Sequence, residues 1–440
     1  MESALNTGNT AWLLTSAALV LLMIPGLAFF YGGMVRMKSV LNMLMMVMGA
    51  LFIVGVLWVL YGYSMAFGAS YGSTGLLGNI TEFAGLGQLQ GAAPVEGYGY
   101  PPLAFVAFQA MFACLTVGLI AGAVADRMKF SAWLVFAGIW ATLVYFPVAH
   151  WVFNLNSETG GWIFKYGVID FAGGTAVHIN AGVAGLALCI VLGKRLGWPR
   201  SPMRPHNLTL VMIGAALLWF GWFGFNAGSS TAADDFAAQA FINTFAATCA
   251  AAIGWLITEK IRDGHATSLG AASGVVAGLV AITPACAAVS PVGALLLGLI
   301  AGVLCALAVG LKYVFKFDDS LDVVGVHLVG GLVGTLLIGF LATDASPTGI
   351  NGLFYGGGID QLGKQAVGAG AVLGYSLVIT LIIAVILKLV MGIRVTEEQE
   401  ISGIDVAEHA ETGYELGDSG GGGVFAGMGH AASHSEEGSS

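Results

Sequence analysis

Charge is what this 440-residue chain has least of: 9% of its residues are Asp, Glu, Lys or Arg, against 57% hydrophobic. Soluble domains carry about 25% charged residues. Sixteen Lys and Arg cannot cover a water-soluble body of this size, and they form no basic stripe for nucleic acid. Cysteine is sparse as well. The five, at positions 114, 189, 249, 286 and 305, lie far apart inside apolar blocks, without CxxC or Cys/His metal spacing, and read as small buried hydrophobes. No nucleophile arrangement, metal cluster or cofactor motif appears, so neither an enzyme nor a resident cofactor is expected. The first ten residues, Met1 to Thr10, lack a positive region ahead of the first apolar block. That block is long enough to span, so it reads as a retained helix and not as a cleaved signal.

What the chain has instead is long apolar runs and 66 glycines. In lipid, small residues let helix backbones approach closely, because packing replaces the hydrophobic effect as the driving force. At about 20 residues per span, eleven blocks are expected, near 11–34, 40–68, 100–124, 131–152, 172–193, 208–230, 236–259, 267–286, 290–313, 322–342 and 366–393. The fold class is therefore all-α integral membrane. With the N-terminus outside, the inside loops hold Arg36, Lys38, Arg127, Lys129, Lys194, Arg195, Arg200, Arg204, Lys260, Arg262, Lys312 and Lys316, and Lys388 and Arg394 end the last span on that side. Those are 14 of the 16 basic residues; only Lys165 and Lys364 fall outside. This positive-inside bias supports eleven spans, N-out and C-in.

Residues 1–394 form the expected transmembrane domain and 395–440 a cytoplasmic tail. After Arg394 the chain has ten acids and no Lys or Arg. Residues 395–417 mix acids with apolar side chains and are expected to order on the body. Residues 418–440, rich in Gly, Ser and His, are expected to be disordered. His430 and His434 in that stretch read as solvated, with weak metal binding as the alternative.

Two stretches inside the blocks repeat each other. Asp170 stands eight residues before His178, and Asp319 eight before His327; each His follows a Val. Each His is followed by Gly at its fourth and seventh positions: Gly182 and Gly185, then Gly331 and Gly334. The copies fall on spans 5 and 10, five spans apart, which is the pattern of an inverted repeat, spans 1–5 against 6–10, with span 11 outside it. A pseudo-two-fold axis would bring the imidazoles together in the bundle core. Ionisable groups inside a span default to function. Imidazole offers one donor and one acceptor and titrates near neutral pH. Two in contact can pass a proton and line an apolar path with a polar rail. A hydrogen-bonded structural pair is the alternative; a metal site would need Cys or carboxylate ligands beside the His, and none is there. Asp170 begins span 5, where it can cap free N–H groups or help hold a cation. Asp319 and Asp322 are expected to cap span 10.

With these features the sequence resembles the ammonium transporter/Rhesus family, on its bacterial ammonium transporter branch. The matching stretches are Pro25 to Gly33, Ala107 to Cys114, Asp170 to Asn180, Gly221 to Ser229, Thr283 to Cys286, Asp322 to His327 and Arg394 to Glu400. The resemblance implies a homotrimer in the inner cell membrane with one pore per subunit, each of eleven helices, N-out and C-in. It implies Phe112 and Phe225 as a stacked gate, with Phe108 and Gln109 beside it, and His178 and His327 as the twin-His pair. Ser229, Phe112 and Asp170 would form the outer ammonium site. There the family often has Trp, in a His-x-x-Trp-like stretch; here the run is His150-Trp151-Val152-Phe153, so Phe153 aligns, with Trp151 and Trp162 as alternatives. Ammonium (with methylammonium as its analogue) would be recruited there and cross as ammonia. The tail resembles those read by PII-type signalling proteins. A neutral-gas, Rhesus-like channel and an ammonium sensor are the rival readings.

Overall fold

A computed structural model describes residues 4–201 and 203–414. Among them, ten helices are long and apolar enough to cross a membrane. In chain order the main helices are α1 (Thr7–Met34), α2 (Met37–Phe67), α3 (Pro102–Val124), α4 (Phe130–Phe153), α5 (Gly174–Leu192), α6 (Leu208–Gly228), α7 (Asp235–Asp263), α8 (Ser268–Ile282), α9 (Pro291–Phe315), α10 (Val324–Leu341) and α11 (Asp360–Val390). The protein is thus a multi-pass membrane protein. The eighth predicted block departs from expectation. Its helix has 15 residues, about 22 Å at 1.5 Å per residue, short of the ~30 Å hydrocarbon core. Pro284 has no N–H to continue the helical ladder. Beyond it the chain turns through Ala285, Ala288 and Val289 before α9.

Why the helices pack so closely is visible at the repeated glycines. A methyl group on Gly182 would collide with the backbone N of Leu328, and one on Gly331 would lie 3.1 Å from both His178 Cβ and Ile179 Cγ1. The two contacts are reciprocal. The fourth residue after each His faces the residue just after the other His. At the seventh position, Gly185 faces Ala123 at the end of α3 and Gly334 faces Ala281 at the end of α8. Helix 3 of the first half and helix 8 of the second thus meet equivalent glycines, as an internal pseudo-two-fold requires. Elsewhere Gly26 and Gly214 bring α1 and α6 into backbone contact, the close approach that small residues allow.

Several of the basic residues assigned to the inside loops, Arg36, Arg127 and Arg195 among them, meet on one face. Arg195 is held by Asp318 at 2.8 Å, with side-chain exposures of 5% and 0%, and reaches Asp126 at 3.5 Å. Arg36 approaches the same Asp126. Arg127 donates to Gly193 O, Asp318 O and Ser320 Oγ. The described part of the tail, through two short helices Glu397–Ser402 and Ile404–His409, lies on this face. Asp405 accepts from the N–H groups of Leu41 (3.0 Å) and Asn42 (2.8 Å) near the start of α2. Glu408 accepts from Phe130 N at the start of α4 (2.9 Å). Glu400 accepts from Leu196 N and pairs with Arg394, each at 2.7 Å. Carboxylates at helix N-termini satisfy orphan donors and meet the positive end of the dipole. The disorder expected for 418–440, and with it His430 and His434, lies outside the described residues, as do 415–417.

Candidate functional site

α5 and α10 both open with a wide, π-type turn, Gly174–Ile179 and Val324–Leu328, and each turn carries its histidine. Such turns recur at functional sites, because an extra residue re-aims the side chains. Here they aim the imidazoles at each other. The Nδ1 atoms of His178 and His327 are 3.3 Å apart and the ring centroids 5.4 Å apart. His178 is fully buried and His327 4% exposed. One ring donates its Nδ1–H and the other accepts, so the two neutral tautomers are opposite. The Nε2 of His178 is buried with no hydrogen-bond partner. A polar atom left so in an apolar bundle is a site for a hydrogen-bonding solute.

Beside this pair, Phe112 of α3 and Phe225 of α6 stack with centroids 4.0 Å apart and 13° between planes. Phe225 is 6.2 Å from His178, so the stacked phenyl rings and the imidazoles adjoin. Phe108 packs on Phe112 at 4.9 Å, and Gln109, next along α3, keeps a buried Oε1 without a partner. Phe153 meets Phe112 edge-on at 6.2 Å. Trp151 donates its indole N–H to Leu76 O, and its ring packs on Tyr375 and Trp162. Ser229 sits one turn beyond Phe225 and donates its hydroxyl to Phe225 O at 2.8 Å. Its oxygen lone pairs remain able to accept a hydrogen bond.

Asp170 is a cap. Its Oδ1 accepts from Gly173 N (2.8 Å) and Gly174 N (2.5 Å), and its Oδ2 from Thr175 N (2.8 Å), Ala176 N (3.2 Å) and the Thr175 hydroxyl. That is the helix-capping role weighed from sequence, carried to saturation. Asp319 does likewise with one bond, accepting from Val324 N at 2.7 Å. Asp322 corrects the sequence reading: its side chain caps nothing and pairs with Lys312 at 2.6 Å. Its backbone is left-handed, φ 62°. Among the described residues no three His, Cys, Asp or Glu gather as a metal site.

The model of the Ammonium Transporter Family matches residues 11–414. The chain belongs to this family. An ammonium transporter of Mycobacterium tuberculosis (strain ATCC 25618 / H37Rv) is 62% identical over 434 residues, covering 93% of this chain and 90% of that protein. One of Bacillus subtilis (strain 168) is 44% identical over 419 residues, covering 93% and 98%. Among solved structures, Saccharomyces cerevisiae Mep2 superposes with a TM-score of 0.81 at 33% identity, covering 90% of this chain and 89% of that one. A structure described as "Sensor Amt Protein" gives 0.84 at 29% identity, covering 91% and 98%.

Within this family member, sequence reasoning missed two residues behind the histidines. Trp222 stacks on His178, centroids 5.4 Å apart and 17° between planes, and donates its indole N–H to Thr283 Oγ1 at 2.9 Å. A signal for Trp222 did exist. Trp222, Phe225 and Ser229 stand at i, i+3 and i+7 of α6, so they share one helix face. Thr283 follows directly on α8, still in helical geometry, and also bonds back to Leu279 O.

Proposed function

We propose that this protein conducts ammonium across the inner cell membrane by recruiting it at an outer aromatic site, removing a proton, and passing ammonia along the paired imidazoles. The observation that carries this reading is the stacked Phe112–Phe225 pair set against the buried His178–His327 contact. Ammonium is small, positive and tetrahedral. Aromatic faces attract it, and Phe112, Phe153 and the Ser229 oxygen supply those faces and an acceptor. A bare ion at the Phe gate would pay a heavy desolvation cost. Deprotonation leaves ammonia, which crosses at little cost and exchanges hydrogen bonds with the free His178 Nε2. Potassium has no proton to lose, so the same gate rejects it. Asp170 acts by holding the start of α5, and so His178, in place.

In this reading the chain makes eleven crossings, with α8 and the turn after it completing the eighth. The N-terminus is outside, and the tail face carries the basic loops in the cytoplasm. Residues 1–394 conduct; the tail, 395–440, is read by a PII-type protein, and its described acids Glu400, Asp405 and Glu408 dock on the body. Three copies form the working trimer. Uptake of methylammonium into proteoliposomes, with current recorded, tests the pore. His178→Ala and Phe225→Ala are expected to abolish most uptake. Parent-level uptake in both variants would remove the pore, and uptake without current would favour a neutral-gas channel.

A further inference from the structure

The eleventh helix lies outside the inverted repeat, yet it holds both halves of it. On α11, Gln361, Gln365 and Gly368 stand at i, i+4 and i+7 and share one face. That face receives the non-helical residues 167–169, which lead into Asp170. A methyl group on Gly368 would lie 2.8 Å from Val168 Cγ1, so the glycine lets this stretch lie close. Gln365 is fully buried and grips Ile169 by both backbone groups. Its Oε1 accepts from Ile169 N and its Nε2 donates to Ile169 O, each at 2.7 Å. The same Nε2 donates at 3.1 Å to Thr335 O on α10.

The amide of Gln365 has no freedom left. Gln361, itself buried, donates its Nε2 to Gln365 Oε1 at 2.9 Å and to Gly167 O at 3.1 Å. Gln365 therefore uses two acceptor and two donor positions, the full complement of a side-chain amide, and its orientation is fixed. Ile169 immediately precedes Asp170, whose carboxylate caps the start of α5. Thr335 stands one turn beyond Gly331, where a methyl group would lie 3.1 Å from His178 Cβ. One side chain thus ties the entry to the helix bearing His178 to the helix bearing His327, beside their crossing. The Nδ1–Nδ1 contact of 3.3 Å is at the long end for a hydrogen bond, so a small shift of α5 against α10 breaks it.

We propose that Gln365 is a positioning residue for transport: it sets the spacing of α5 against α10 and so holds the two imidazoles in contact. This deepens the twin-His reading given above and rests on it. The outer residues Phe112, Phe153, Phe225 and Ser229 come from α3, α4 and the end of α6, helices outside this amide network. Gln365 therefore acts on the rate of passage and leaves recruitment of the cation alone.

Methylammonium uptake by the full-length protein in proteoliposomes tests this, with rates expressed per folded chain. Gln365→Met keeps the length and removes all four hydrogen bonds. It should lower the maximal rate roughly tenfold, as a sub-ångström misplacement of reacting groups does, and leave the half-saturating concentration unchanged. In a His178→Ala background the same change should cost little more, because residues that act through one contact are non-additive. An equal proportional loss in both backgrounds overturns the proposal, since Gln365 would then serve the fold and not the imidazole pair. A parent-level maximal rate overturns it as well, as does a raised half-saturating concentration at unchanged maximal rate. Should Gln365→Met not fold, Gln365→Glu is read by the same outcomes: it keeps its acceptor oxygens but can donate to at most one of Ile169 O and Thr335 O. Parent-level uptake in His178→Ala alone removes the twin-His pore and this proposal with it. Loss there beside a parent-level rate in Gln365→Met removes this proposal only.

Discussion

Asp170 and Asp319 stand at the same place in two copies of one motif, yet their surroundings differ. Asp170 accepts five hydrogen bonds, four from successive backbone N–H groups. Asp319 accepts one, and its second oxygen is buried without a partner. Three residues on, the backbone is left-handed in both copies. The first places Gly173 there, φ 118°; the second places Asp322, φ 62°, whose carboxylate pairs with Lys312. The first copy starts its helix with a local cap made wholly by itself. The second starts its helix with ion pairs to other elements, on the face where the basic loops and the tail gather. One geometry of histidines is thus reached by two kinds of anchoring, local on one side and tertiary on the other.

The largest effect should come from breaking the tertiary anchor. Burial raises the Asp318 carboxyl, but Arg195 overcomes this by hydrogen bonds and charge, with Arg127 adding to it, and holds it below its ordinary value. A lowered carboxyl contributes stability above the unfolded-state value and loses it as pH falls through the folded one. Asp318→Asn leaves Arg195 buried without its counter-charge and should cost about 3–5 kcal/mol. Thermal unfolding in detergent measures this at neutral pH, and the gap between parent and variant should shrink under acid. A gap that widens under acid would mean the pair is not the anchor.

Next, His178→Ala should lower methylammonium uptake about a hundredfold, the lower range for a positioned proton-transfer group, and His327→Ala by a similar factor. The double variant should be little worse than either, because contacting residues that act together are non-additive. Additive losses would separate the imidazoles into independent sites. The local cap comes third. Asp170→Ala orphans several donors and should cost about 2–3 kcal/mol, whereas Asp319→Ala should cost ~1 kcal/mol. Equal losses by thermal unfolding would erase the contrast drawn above. The smallest change is Phe153→Trp, which places the stronger cation–π ring against Phe112. A gain of about 0.5–1 kcal/mol should show as a few-fold lower half-saturating methylammonium in uptake; no change would mean the cation does not sit against that wall.

Much of the site was legible because its residues come in short, ordered motifs. Asp170, His178, Asp319 and His327 announced themselves as ionisable groups in apolar spans, and the Gly182 and Gly331 spacing announced close helix contact. The exchange between the copies, each glycine receiving the other histidine's neighbour, is invisible in one dimension. Phe112, Phe153 and Phe225 could not be told from other aromatics by pattern. They came from the family resemblance, and the stacking that unites Phe112 with Phe225 joins residues 113 positions apart. Asp322 misled because an acid near a helix start usually caps, whereas here its carboxylate pairs with Lys312, a partner from α9. The short α8 misled because an apolar run continues past Pro284, whose missing N–H ends the helix though hydropathy does not fall.

By itself the sequence determined the solvent: so little charge over so many apolar runs leaves only the bilayer, where every backbone group must be satisfied within helices. It also determined the repeat, and through the repeat the residues that would meet. What only the tertiary structure decided was company. A motif states which side chains point inward along its own helix, since that periodicity is local. It does not state which partner, hundreds of residues away, will satisfy each polar atom or leave it free.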